Sequence, residues 1–269
     1  MDIQTQIETL MAQAANASLR VQTLGQFQVW RGEEPISPKA WGRDKTVQLF
    51  QFFVTSRHRR ALHKEQIVDR LWEDIDAKGA DQTFKVALHG VNKALEPNRK
   101  RGTDPHYIIR QGITYQLNQA AVWIDVAAVE EYIRLGNLAI EQDTELAIAA
   151  YREALSLYAG TYLPNRMYED WSSAERERIQ VLVLGTMITL GELVLQTNPL
   201  ESIRLAQEAL LIDNAWEDAY RLQMQAYFQK GNRPMVIKTY RQCEKILDEE
   251  FGIDPLPETK AFLKNVVAK

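Results

Sequence analysis

Residues 80–97, ADQTFKVALHGVNKALEP, decide how the rest of the chain is read. Phe84, Ala87, Leu88, Val91, Ala94 and Leu95 recur at helical spacing and give one apolar face, while Gln82, Lys85, His89, Asn92 and Lys93 point the other way. The spacing predicts a short amphipathic helix. Pro97 ends it, because proline cannot donate a helical hydrogen bond and disfavours the helical region for its predecessor. Taken alone, such a helix is ordinary packing. Its setting gives it meaning: a compact helix from His63 to Trp72 and the polar loop EDIDAKG precede it, with Gly79 read as the residue that allows the turn. The alternating run HYIIRQGITYQLN, residues 106–118, follows as a hairpin around Gln111-Gly112. Helix, loop, exposed helix and hairpin is the order of a winged helix-turn-helix, whose second helix enters the DNA major groove.

Upstream of this core, Leu19 and Val21 alternate with polar residues, Gly25 interrupts, and Phe27, Val29 and the turn at Arg31-Gly32 predict a second strand. A small antiparallel sheet therefore precedes the helices, stopped by Pro35 and Pro38. A scaffold helix from Arg43 to Ser56 buries Val47, Phe50, Phe53 and Val54. The basic run Arg57, His58, Arg59, Arg60 at its end has two readings, solvated charges favourable at a helix C-terminus or contacts to phosphate. Met1 to Ala17 is rich in alanine and glutamine and reads as a frayed leader or the tail of a linker.

Beyond Asn118 the pattern is nearly continuous helix. Asp125 and Asp143 cap the first two, a long helix spans about Tyr168 to Leu195, and Asn198-Pro199, Ala215, Gly231-Pro234 and Pro257 open the rest. Ser202 to Ile212 superposes on Val236 to Ile246 at an offset of 34 residues, placing Ala206 on Tyr240, Ala209 on Cys243 and Ile212 on Ile246. That is the period of tetratricopeptide repeats, stacked helix pairs that bury apolar faces against their neighbours. The expected architecture is mostly α: a leader at 1–18, an α+β winged helix-turn-helix at 19–118 with a wing at 106–117, and an all-α tetratricopeptide-like domain at 119–269.

Charge divides the same way. Residues 19–118 carry 17 Lys and Arg against 11 Asp and Glu, a net +6, and residues 119–269 carry 15 against 23, a net -8. A basic module beside an acidic one points to a polyanion partner for the first half only. No apolar run approaches the roughly 18 residues of a membrane span, and MDIQTQIETL lacks the order of a signal peptide, so the expected location is cytoplasmic, with no membrane partner. The single Cys243 cannot form an internal disulfide and reads as a small core residue.

Catalytic signatures are missing from the sequence. His58, His63, His89 and His106 lack metal-ligand spacing, and neither a glycine-rich phosphate loop nor a serine elbow occurs, so no enzyme activity, cofactor or metal is expected. Glu169, Asp170, Glu175 and Glu177, interleaved with Arg176 and Arg178, read as a solvated, ion-paired helix face.

Together, LGQFQVW, RDKTVQLFQFFV, EQIVDRLWED, VNKALEP and YIIRQGITYQLN in the first half, and WIDVAAVEEYI, AGTYLP, EDW, ERERI and EEFGIDPLPET in the second, resemble the SARP-type transcriptional regulators. These join a response-regulator-type winged helix to a bacterial transcriptional activator domain, and the resemblance covers about nine tenths of the chain. It implies that the first domain binds double-stranded DNA at promoter repeats and that the second mediates activation, through RNA polymerase, or the contacts of a homodimer on DNA. Gln82, Lys85, His89 and Asn92 are then the candidate base contacts, and Lys93, Arg59, Arg60 and Arg110 the candidate phosphate or minor-groove contacts. Where relatives often carry arginine on the outward side of the recognition helix, this chain is read as presenting His89, Gly90 and Asn92. The alternative reading is a non-catalytic interaction scaffold whose winged helix has lost DNA affinity, or the C-terminal piece of a larger ATPase regulator.

Overall fold

The computed structural model describes residues 2–59, 61–73 and 76–268. It divides into two compact units, Met1–Glu130 with Leu157–Arg178, and Glu131–Ser156 with Ile179–Lys269. Residues 119–130 and 157–178 thus belong with the winged helix, whereas the sequence pattern places the division after Asn118.

In the first unit, α1 (Ile3–Asn16) is a full helix rather than a frayed leader, because Asp2 caps it by accepting from the Thr5 backbone N–H at 2.8 Å and Ile7 is buried. The strands β1 (Leu19–Gln22), β2 (Gln28–Arg31), β3 (Glu34–Pro35) and β7 (Trp123–Ile124) form one sheet in the order β3-β2-β1-β7. β1 and β2 are antiparallel, with Val21 opposite Val29, and β7 lies parallel to β1, with Val21 opposite Ile124. Pro35 sits in the edge strand instead of stopping the sheet, a position that tolerates a missing N–H.

The winged core follows. α2 (Pro38–Trp41) and α3 (Asp44–Thr55) pack on α5 (Ala77–Leu95), and α4 (Lys64–Leu71) precedes it. The strands β4 (Leu62–His63), β5 (Ile108–Gln111) and β6 (Thr114–Leu117) form the second sheet, with β6 central. Gly112, at φ 61°, makes the turn of the wing, as its sequence position predicts. Gly79 does not: it lies in the first turn of α5 and donates its N–H to the capping carboxylate of Asp76 at 2.9 Å.

The motifs that look separate in sequence meet in this unit. Gly25, at φ 75°, lies so close to Ala159 that a Cβ there would stand 2.4 Å from the carbonyl oxygen, so LGQF and AGTYLP fit only with glycine at this point. Leu163, held at φ 43°, donates its N–H to the Thr23 carbonyl at 2.8 Å, and the buried Tyr162 shares a 2.8 Å hydrogen bond with Thr55 of α3. The Asp125 carboxylate is almost fully buried and accepts from Thr23 N (2.8 Å), Thr23 Oγ1 (2.6 Å), Leu24 N (2.9 Å) and Val126 N (2.7 Å). Burial pushes this carboxyl up, and the four donors oppose the shift. Arg166, also buried, donates to Gln51 at 2.7 Å and to Asp44 at 3.0 Å, while Trp171 meets Phe52 edge-on.

Arg57 is neither solvated nor free for phosphate. It is 2% exposed and pairs with Glu130 at 2.9 Å and Glu175 at 2.7 Å, and Arg178 pairs with the same two carboxylates. The ERERI stretch is therefore a buried ion cluster on one side, not a wholly solvated face.

In the second unit, the remainder of α6 (Asp125–Ala139), α7 (Thr144–Leu157), the remainder of α8 (Asp170–Val194), α9 (Pro199–Ile212), α10 (Glu217–Gln229), α11 (Arg233–Phe251) and α12 (Pro257–Ala268) follow one another along the chain. α10 packs against both α9 and α11, and α12 packs on α11. Asn198 and Asn232 cap their helices, and Gly252, at φ 66°, closes α11. The residues paired by the 34-residue offset are alike in burial: Ala206, Ala209, Tyr240 and Cys243 are buried, and Ile212 and Ile246 half-buried. Tyr220, Cys243 and Leu247 form one core cluster and Met224, Val236, Tyr240 and Val266 the next. Among the described residues, no helix is long and apolar enough to cross a membrane.

Candidate nucleic-acid interface

Two local devices position α5 against the wing. His63 caps α4 by accepting from Glu65 N at 3.2 Å while its own N–H bonds the Gln66 side chain at 3.0 Å, a capping box that starts the helix beside β6. Lys64 then donates its backbone N–H to the carbonyl of Ile113 at the wing tip, at 3.0 Å. Beneath them the fully buried Phe84 ring is met edge-on by Trp72 on one side and Tyr115 on the other, with centroids 6.2 Å and 5.1 Å away. Helix α5 cannot roll without disturbing both rings.

The exposed face of α5 carries Gln82, Lys85, Val86, His89 and Lys93, one continuous stripe at spacings of three and four. Between this helix and the wing lies a groove of about 280 Å³ whose cationic and polar walls are Lys64, Lys85, His89, Asn92 and Arg110. Arg110 is exposed, donates from Nε to the Gly112 carbonyl at 2.8 Å, and rests its guanidinium 5.8 Å from the Tyr115 ring centroid. The wing thus holds its arginine beside the groove.

Two positions differ from the sequence expectation. Asn92 is 8% exposed and its Oδ1 is buried without a hydrogen-bond partner among the described residues, so it belongs to the groove floor rather than the outer face. Gly90 is not outward either: a Cβ there would stand 2.9 Å from the Thr46 side chain of α3, so this residue is the close-approach point of two helices. An α5 that packs on α2, α3 and α4 at once buries more of its circumference than a one-sided amphipathic reading allows.

The structure brings Lys85, His89, Asn92 and Arg110 together and leaves Gln82 and Lys93 on the open stripe. Arg59 is exposed but lines a different depression with His58, Gln116 and Asn118. Arg60 lies outside the described residues. Two further residues join the interface without a signal in the sequence. Lys64 enters the groove because the two-residue strand β4 pairs with β6, too short a stretch to show alternation, and Val86, 43% exposed, is an apolar residue on a polar face.

His58, Glu130 and Glu175 place one nitrogen and two oxygens within 4.8 Å of one another, the spacing of a metal site. The guanidiniums of Arg57 and Arg178 already occupy both carboxylates, so the cluster balances its own charge and a divalent cation would enter against two positive groups.

The model of the bacterial transcriptional activator domain matches residues 124–266. In fold, the chain is similar to Mycobacterium tuberculosis EmbR, solved in complex with a low-affinity phosphopeptide, with a TM-score of 0.80 at 18% sequence identity. The match covers 93% of this chain and 65% of that one, so the chain spans somewhat less than two thirds of its structural neighbour. The comparison with curated protein sequences gives no match.

Proposed function

For a chain that belongs to the bacterial transcriptional activator domain family, as a SARP-type transcriptional regulator, we propose that the winged helix binds double-stranded DNA, with α5 in the major groove and the wing on the backbone or minor groove. The observation that carries the reading is the groove between α5 and the wing, where Lys64, Lys85, His89 and Arg110 converge beside an exposed polar stripe. Lys85 and His89 offer donors to base edges, with Gln82 beside them, and Val86 offers an apolar surface to a thymine methyl group. Lys93 and Arg110 face phosphate, as does Arg59 from its own side of the wing. The second unit, by the family it belongs to, supplies activation through RNA polymerase or contacts between copies. A net +6 over residues 19–118 supports only a handful of phosphate contacts, and non-specific binding on that scale lies near 10⁻⁴ to 10⁻⁶ M, roughly. Useful occupancy of a promoter therefore calls for two copies on adjacent half-sites about 10 to 11 base pairs apart.

Selection from random duplex by mobility shift tests this. The expected result is an enriched repeat sequence, on which Lys85→Ala lowers discrimination against scrambled duplex by about 1 to 3 kcal/mol. Arg110→Ala should weaken binding to all sequences alike and flatten the salt slope by about one. No enrichment and no shift at low salt would leave the chain an interaction scaffold.

A further inference from the structure

At the edge of the groove the lysines are not alone. Asp81 lies one helical turn before Lys85 on α5 and divides its carboxylate between two partners: one oxygen holds the Lys64 ammonium and the other the Lys85 ammonium, the latter at 2.6 Å. Lys64 comes from a different helix, so the carboxylate is a bridge across the helix-turn-helix and not only a pair along α5. The two hydrogen bonds it accepts hold the Asp81 carboxyl down to about 2, and the bond that Lys64 donates to it raises the Lys64 ammonium.

Such a bridge treats two kinds of DNA acceptor differently. A phosphate is an anion; to take either ammonium it must compete with Asp81 and approach a fixed negative charge. A guanine O6 or N7 is neutral and suffers little of that repulsion. An ammonium has three donors, so each lysine can keep Asp81 and still donate to a base edge. We propose that Asp81 is a specificity-determining residue: it withholds Lys64 and Lys85 from phosphate and reserves their remaining donors for bases. This rests on the DNA-binding reading above. It makes the winged helix a weaker general binder in exchange for a larger ratio between right and wrong sequence, the quantity that matters among many competing sites.

The test uses the full chain and a fluorescent random-sequence duplex, with affinity measured by anisotropy between about 50 and 200 mM salt. Wild type is compared with Asp81→Asn and Asp81→Ser, with Lys64→Met/Lys85→Met, and with that pair combined with Asp81→Asn; thermal unfolding confirms that each retains its fold. Asp81→Asn is expected to bind random duplex about tenfold more tightly at the low-salt end and to steepen the salt slope by about one to two, since each additional phosphate neutralised adds about 0.9. The gain should vanish when both lysines are methionine. Wild type that binds while Asp81→Asn binds no tighter, or a gain that survives loss of both lysines, overturns the role of Asp81 and leaves DNA binding standing. If neither wild type nor any variant binds duplex at the lowest salt, the DNA reading fails and this inference with it.

Discussion

In the first unit the chain returns to itself through buried charge: Arg57 pairs with carboxylates 73 and 118 residues further on, Arg166 reaches back to α3, and Asp125 collects four donors, three of them from Thr23 and Leu24. In the second unit, helices pack on helices one or two places away in sequence, with a small residue meeting a larger one where Gly191 faces Leu222. Gly136 lies beneath the ring of Tyr151, and Ala206 and Ala209 are buried in α9. Distant polar pairs specify one arrangement and penalise every incomplete one, whereas stacked neighbours can form pair by pair. The first unit should therefore be the all-or-none part of the molecule, and the second the part that tolerates being cut.

Removing residues 1–118 is the harshest way to test that contrast. In a fragment 119–269, residues 157–178 lose Thr23, Asp44, Gln51 and Arg57, while α9 to α12 keep their partners. Hydrogen exchange should show α9 to α12 protected and residues 157–178 open, and the fragment, at net -8, should not be retained on DNA. Protection across 157–178 in the fragment would show that this stretch needs nothing from the first 118 residues.

A single buried charge comes next. Arg57→Met leaves Glu130 and Glu175 with Arg178 and without their buried partner, a loss of about 3 to 5 kcal/mol in urea unfolding. Burial works to raise the Glu175 carboxyl, but the bond from Arg178 and the charge of Arg57 outweigh it and hold it below its ordinary value. A depressed carboxyl contributes stability above its unfolded value and loses it as pH falls through the folded one, so the gap between wild type and Arg57→Met should narrow from about pH 5 towards pH 3. Asp125, pushed up by burial, works in the opposite sense, its contribution being fullest in acid. A gap that stays constant with pH would mean the pair matters by its packing alone.

Two glycines in helices of the second unit carry opposite expectations. At Gly136 a Cβ would stand 2.6 Å from the Tyr151 ring, so Gly136→Ala should lose about 1 to 2 kcal/mol, the overpacking exceeding the gain in helix propensity. At Gly185 nothing lies within 4 Å of the same added atom, and Gly185→Ala should gain about 0.5 to 1 kcal/mol. Equal signs would show that the stack adapts freely. The smallest effect belongs to Arg152→Ala, which breaks an exposed bidentate pair with Glu201 and should cost about 0.2 to 1 kcal/mol, shrinking with salt. A larger, salt-independent loss there would mean that charge binds the second unit as it binds the first.

The same contrast explains what can be read from residue order. The helices of the second unit, the caps at Asp143 and Asn198 and the 34-residue offset are legible because each depends on neighbours a few turns away, whereas the Asn232 cap of α11 goes unread. The buried face of α5 is legible too, Phe84, Ala87, Val91, Ala94 and Leu95 all lying inside. Arg57, Gly90 and Asn92 escape such a reading because their surroundings come from segments that no local period reveals. Of the site, Lys85, His89 and Arg110 follow from the helix face and the hairpin; Lys64 and its bridge to Asp81 depend on how two helices meet.

Cys243 is fully buried between Tyr220 and Leu247, and burial pushes its thiol up to about 12. The thiolate is the form that reacts with labelling reagents, so the native chain hides its only reactive sulfur twice over, by access and by protonation. Modification can proceed only when α10 and α11 part, and no second thiol exists to blur the signal. The rate at which a disulfide reagent consumes this one group is thus a stopwatch on the opening of the repeat core.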